Sequence, residues 1–347
     1  MKKWSLMVMA AVLAFTTSAC GGANNSGSGP SNESANEKQE QQAAENKPKG
    51  KYNWIAGTAV VDTVAIAKAT DYFAQRVNEL SDGQITITVH HGAKLGGDRD
   101  IVENVIQGTV HIAVPGQTML AGWYKPAEVW IFPNLYKDVE HKDRVWDALK
   151  EEYSNEVAEK TNLRPLLAIP RAPRMLSSNK VVMKPEDMAG LKIRVPETPM
   201  WIKTFERYGA SPVGMALPEV YSALETKVID GQENPIEDTF NTGFFEVNTH
   251  LALTRHMMQD NVVLINEDVY QSLPDELKQV LKQAGEETEK KYRQEVYAIE
   301  AEFLQKVKDK GIIVNEVDQE AFKAKVVGLE DEFPDIKGWL EKIRAVE

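Results

Sequence analysis

The chain has 347 residues, 42% of them hydrophobic and 27% charged, with a formal net charge of −12. This composition is globular and long enough for two domains, while the acidic balance argues against a nucleic-acid partner, which would call for a basic face. A single cysteine, Cys20, excludes an internal disulfide. It closes the run Thr17-Ser18-Ala19-Cys20, which follows Met1-Lys2-Lys3 and an apolar stretch from about Leu6 to Phe15. That pattern reads as a lipoprotein signal peptide over 1–20 with Cys20 lipidated, and its apolar run is too short to span a bilayer. Residues 21–50 are Gly, Ser, Asn, Glu, Gln and Lys with almost no large apolar side chain. Such a segment cannot bury enough surface to fold and is expected to be a disordered tether. Lipidation would hold the folded part at the extracytoplasmic face of the membrane or in the periplasm.

From Tyr52 onward, apolar residues recur with the periods of alternating strands and helices. A strand is expected over Tyr52–Ala59 and a helix over about Thr63–Leu80. Gln84–His90 alternates polar and apolar residues as a strand with one packed face does. The glycine-rich turn Gly92–Arg99 precedes a helix carrying Ile101, Val105 and Ile106, and a strand over Val110–Pro115 follows. The turn matches neither phosphate-binding spacing; Asp98 within it is either a helix cap or a cleft residue. Gln117 is either a cap or a ligand contact. Trp123, Tyr124, Trp130 and Phe132 either wall a ligand or belong to the core, and aromatics at this spacing more often do the latter. Leu163–Ile169 reads as a buried strand leading through Pro170 into a crossing between domains, where Arg171 is expected to face solvent. Beyond it, a helix is expected over Trp201–Tyr208, a strand over Ala210–Met215 and a helix over Leu217–Leu224. Lys227–Asp230 reads as a strand that delivers a Gly-Gln-Glu-Asn-Pro turn. Pro274–Lys310 is the longest helical stretch, unless Gly285 kinks it.

The chemistry concentrates in Arg174–Glu197 and in Asp230–Pro235. Arg194 lies in Leu191-Lys192-Ile193-Arg194-Val195, a short strand bounded by the Pro185–Gly190 turn signals and by Pro196. A guanidinium fixed there at the edge of a core fits a carboxylate bidentately; a structural ion pair is the other reading of the same residue. Asn234 is constrained by Pro235, either to aim its amide at a ligand or to close its own turn. The ordered motifs R-x-L-S-S-N-K, P-E-D-M-A-G-L-K-I-R-V-P-E and L-P-E-V-Y-S-A-L-E-T-K-V-I-D-G-Q-E-N-P resemble the substrate-binding proteins of tripartite ATP-independent periplasmic (TRAP) transporters, the DctP-type family. The similarity runs from about Trp54 to the end.

The resemblance implies an α/β fold of two periplasmic-binding-protein-like lobes, a ligand cleft between them and a long bridging helix. Lobe I would comprise 51–171 completed by about 261–299, and lobe II 172–260 completed by about 300–347. It further implies that Arg194 clamps a carboxylate, that Arg174 and Asn234 complete the site, and that Asp98 and Gln117 contact the rest of a small organic acid. The partners implied are the small and large membrane subunits of a TRAP permease. Sialic-acid-binding members carry glutamate, asparagine and phenylalanine where this chain has Gln117, Ile55 and Leu217, so a differently furnished pocket is expected. A uronate or aldonate is favoured, with a C4-dicarboxylate as the alternative; a ligand-sensing lipoprotein uncoupled from uptake would share every one of these features. The six histidines match no metal spacing, and no nucleophile elbow is present, so no cofactor, metal or enzymatic activity is expected.

Overall fold

The computed structural model describes residues 51–347, apart from the side chain of Tyr297. The signal peptide, Cys20 and the tether lie outside the described residues. The first half of the chain forms β1 (Tyr52–Gly57), α1 (Ala65–Leu80), β2 (Ile85–His90), α2 (Asp98–Ile106), β3 (Ile112–Ala113), α3 (Val139–Thr161), β4 (Leu163–Ile169) and β5 (Arg174–Ser178). Then come β6 (Lys192–Val195), α4 (Pro199–Arg207), β7 (Ser211–Gly214), α5 (Val220–Glu225), β8 (Gly231–Pro235), α6 (Ile236–Asn241), β9 (His250–Ala252) and β10 (Asn261–Asn266). The chain ends with α7 (Glu267–Gln271), α8 (Asp275–Asp309), β11 (Ile313–Asn315), α9 (Gln319–Lys325) and α10 (Lys337–Arg344).

The strands make two sheets, the centres of the two lobes. One has the order β2-β1-β3-β10-β4, the other β11-β9-β5-β8-β6-β7. In the first sheet β1 runs parallel to β2 and β3, while β10 is antiparallel to β3 and β4. The chain therefore crosses between sheets after β4 and returns between β9 and β10. The C-terminal segment touches both lobes: Phe322 of α9 packs edge-on to Tyr208, and Trp339 of α10 packs edge-on to Tyr153 of α3.

Helix α8 has 35 residues, about 52 Å at the usual rise, and bridges the lobes. Leu277, Leu281 and Ala284 join the apolar cluster of Trp54, Phe73 and Ile85 in the first lobe. About five turns further on, Phe303 and Val307 join Met175, Ile236 and Leu251 in the second. Burial of each such large side chain contributes roughly 1.5–3 kcal/mol, so each half of the helix is held by a different core. Gly285 does not break it. A Cβ there would lie 3.4 Å from Leu167 Cβ, an ordinary van der Waals contact, so α8 packs directly on β4 at this point.

One expectation changes. Lys227–Asp230 is a turn, with Lys227 at φ 61°, and the Gly-Gln-Glu-Asn-Pro run is strand β8 itself, wholly buried between β5 and β6. A polar run with Gly and Pro reads as a turn in sequence because its partners are not yet visible. Its side chains satisfy one another across strands: Gln232 Nε2 donates to Ser177 Oγ at 2.8 Å, and Asn234 Nδ2 to Gln232 Oε1 at 2.6 Å. Of the two readings of the aromatics, the core one holds for three: Tyr124, Trp130 and Phe132 are core residues, with Trp130 edge-on to Trp146 and Tyr153 at 5.5 and 5.0 Å; Trp123 is half-buried with Arg99 over its ring.

Candidate functional site

A cavity of about 330 Å³ lies between the lobes. The first lobe contributes Gly97–Asp100, Gly116, Thr118, Met119 and, at the start of β10, Asn261; the second contributes Arg194, Met215–Leu217 and Asn234; Arg171 and Gln259 come from the crossing segments. Gly97 meets the second lobe directly, since a Cβ there would lie 3.7 Å from Ala216 Cβ.

Arg194 sits in β6, between Gln232 of β8 and Val213 of β7. It is 4% exposed, and its Nε and Nη2 both donate to the Met215 carbonyl, at 2.9 and 2.7 Å. Burial pushes its pKa down to about 10, partly offset by the fields of Glu233 and Asp98, so the guanidinium stays charged at neutral pH. Among the described residues it forms no ion pair. A buried cation with a carbonyl as its sole partner, lining a cavity, is poised for an anion.

Arg174, at the head of β5, is arranged oppositely. Its Nε and Nη2 bind the two carboxylate oxygens of Glu233 at 2.6 and 2.8 Å, and Nη2 also donates to Asn234 Oδ1 at 2.7 Å. It stacks over Trp201, 4.9 Å from the ring centre. Glu233 is fully buried; burial alone would raise its carboxyl, yet the Arg174 guanidinium and then His256, whose Nε2 lies 3.2 Å away, hold it below the usual range. His256 in turn is pushed below the ordinary imidazole value by burial, against the pull of Glu233.

Asp98 opens α2 without capping it. The capping carboxylate is Asp100, which accepts from Gly97 N at 2.9 Å. Asp98 instead accepts from Gly116 N at 3.1 Å and lines the cavity, and burial lifts its carboxyl against the pull of that N–H and of Arg171, Arg194 and Arg174. Gln117 is buried, and its Nε2 has no protein partner. Its neighbours Gly116 and Thr118 line the cavity and it does not. The structure thus brings Arg194, Arg174, Asn234 and Asp98 to one cavity and leaves Gln117 out. Arg171, expected to face solvent, is buried and lines the cavity, because Asp238 of α6 binds its Nη2 at 2.7 Å. Glu233, His256 and Gln259 were likewise not anticipated. The Glu within the buried β8 motif was the one signal that pointed at any of them. Among the described residues, no group of three or more His, Cys, Asp and Glu is placed to hold a metal, and no helix is long and apolar enough to cross a membrane.

Comparison with known proteins fits this arrangement. The profile of bacterial extracellular solute-binding protein family 7, DctP, matches residues 56–334. The chain belongs to this family. Among curated DctP relatives, the sialic acid-binding periplasmic protein SiaP of Vibrio cholerae is 32% identical over 261 residues, 75% of this chain and 81% of that one. A TRAP periplasmic solute-binding protein from Roseobacter denitrificans, solved with bound L-galactonate, superposes with a TM-score of 0.80 at 28% identity, covering 86% of this chain and 100% of the other. Another from Sulfurospirillum deleyianum, solved with bound succinate, gives 0.78 at 27%, again over 86% and 100%. Members of the DctP family are TRAP solute receptors, and the two-lobed architecture is common to these structures and this one.

Proposed function

We propose that this DctP-family receptor captures a sugar acid, a uronate or an aldonate, by clamping its carboxylate with Arg194, and delivers it to the small and large membrane subunits of a TRAP permease. The observation that carries the reading is the buried, charged Arg194 whose only acceptor among the described residues is the Met215 carbonyl. Arg174 and Asn234 complete the carboxylate end. Asp98, Thr118 and Asn261 in the lining are suited to hydroxyl groups further along the ligand. The L-galactonate held by the Roseobacter relative supports this choice. Lipidation at Cys20 would keep the receptor at the extracytoplasmic face of the membrane.

The succinate held by the Sulfurospirillum relative favours a second reading, a C4-dicarboxylate. A second carboxylate would need another cation: Arg174 and Arg171 are matched by Glu233 and Asp238, whereas Arg99, which lies over Trp123, lines the same cavity without an ion pair among the described residues. The test is calorimetric titration of galactonate, glucuronate and succinate into the wild-type protein and Arg194→Ala. We expect a sugar acid to bind and the variant to lose on the order of 2–5 kcal/mol of affinity. Unchanged affinity in a correctly folded variant would sink the clamp, and preferential succinate binding would replace the ligand.

A further inference from the structure

A second cavity, about 390 Å³, adjoins the same return crossing that borders the cleft. Arg255–Met258 line it, whereas Gln259 and Asn261, next along the chain, line the cleft. Its other walls are Asn134–Lys137, the connection that leads into α3 of the first lobe, and Gln319 and Lys323 of α9, which packs on the second. The volume lies in the range of small-molecule sites, about 300–1,000 Å³.

Its chemistry is one-sided. Lys137, Arg255 and Lys323 line it, and among the described residues no aspartate or glutamate does. Arg255 and Lys323 bind Glu300 and Glu320, at 2.7 and 2.8 Å, both outside the lining; Lys137 forms no ion pair among the described residues. Leu135, Tyr136 and Met257 add apolar surface. Asn134 and Arg255, on adjoining segments joined by the bond from Asn134 N to the His256 carbonyl, hold φ of 56° and 38°. For a residue as bulky as arginine that conformation costs energy, and strain of this kind gathers at ligand sites and switches.

We propose that this cavity is a second site, for a small organic anion with a carboxylate or similar head and an apolar body. Lys137, without an ion pair among the described residues, offers its charge to the head beside the ion-paired Arg255 and Lys323, and the methionine and aromatic side accepts the body. An occupant touches elements of both lobes and the crossing between them. It also lies beside His256, which lines this cavity and contacts Glu233, the residue that grips Arg174 of the cleft. Occupancy of the two cavities is therefore coupled, and the coupling is reciprocal.

The site rests on its own geometry, while the coupling rests also on the sugar-acid reading of the cleft. The first experiment is calorimetry of benzoate with full-length Arg194→Ala, in which the cleft clamp is removed. One equivalent of benzoate should bind, and Lys137→Glu/Lys323→Glu in that background should weaken it at least tenfold. Both lysines are exposed, so the variant is expected to fold. Absence of saturable binding, indifference to the two lysine changes, or tighter binding of inorganic phosphate than of benzoate would each overturn the assignment. The second experiment measures galactonate affinity of the wild type with and without benzoate. A change of threefold or more, lost in Lys137→Glu/Lys323→Glu, supports coupling, and an unchanged affinity removes it. Failure of galactonate to bind at all would count against the cleft reading alone, since the first experiment does not use it.

Discussion

Arg174 and Arg194 occupy adjoining parts of one cavity with opposite electrostatic surroundings. Arg174 is neutralised by a bidentate carboxylate, whereas Arg194 has only a carbonyl dipole. Removing Glu233 would leave Arg174 buried and unpaired, a situation that typically costs about 3–5 kcal/mol. Glu233→Ala should therefore lower unfolding stability by that order in urea titrations, and a loss below about 1 kcal/mol would mean that the pair is not a structural support. The pH dependence has a definite sign. The folded-state pKa of Glu233 is depressed, so its contribution is present above the unfolded value and is lost as pH falls through the folded one. Arg194 was legible in sequence as a cation on a short strand bounded by turn residues. That it keeps its charge unmatched was not, because Arg174 and Glu233 are 59 positions apart and nothing local pairs them.

Among the elements, two helix starts are capped across the lobes. Glu128, in the first lobe's connection between β3 and α3, accepts from Met200 N at the start of α4 at 3.0 Å; Glu237 of α6 accepts from Ala65 N at the start of α1, also at 3.0 Å. Each lobe thus supplies a carboxylate to an orphan N–H of a helix in the other. Burial pushes both carboxyls up to about 7. Raised folded pKa values mean that the folded state holds these protons more tightly than the unfolded one. Their contribution is full below about 4.5 and declines as pH rises to about 7. Glutamine keeps the acceptor and cannot ionise. Glu128→Gln and Glu237→Gln should each raise the thermal midpoint at pH 8 relative to wild type, by the equivalent of roughly 1–3 kcal/mol, with the difference shrinking toward pH 5. An equal shift at both pH values would show that ionisation of these groups is not what matters. Neither cap was readable from sequence, since both are made between distant segments, whereas helix α8 was, because its apolar stripe repeats locally over many turns.

For the whole molecule, the lobes are joined by α8, by two crossing segments and by one apolar cluster in which Trp130 and Leu264 of the first lobe lie with Ile193 and Trp201 of the second. A ligand that contacts both lobes stabilises the closed arrangement selectively. Addition of the cognate acid should reduce the radius of gyration in small-angle scattering for wild type and leave Arg194→Ala unchanged at the same concentration; contraction of the variant to the same extent would remove Arg194 from the closing contact. The sequence by itself determined the strands and helices from β1 to β3 and from β6 to α5, the long helix and the position of Arg194, because periodicity, turn residues and proline act over a few neighbouring residues; α3, β9 and β10 were not read from it. It misread β8, whose Gln232, Glu233 and Asn234 are buried polar residues made tolerable only by partners on β5 and from the return crossing. The tertiary structure decided which arginine is left with an open charge, that Arg171 is buried against Asp238, and that Gln117 stays out of the lining. Those outcomes depend on which distant carboxylate reaches each cation, and only the packing of the two lobes sets that.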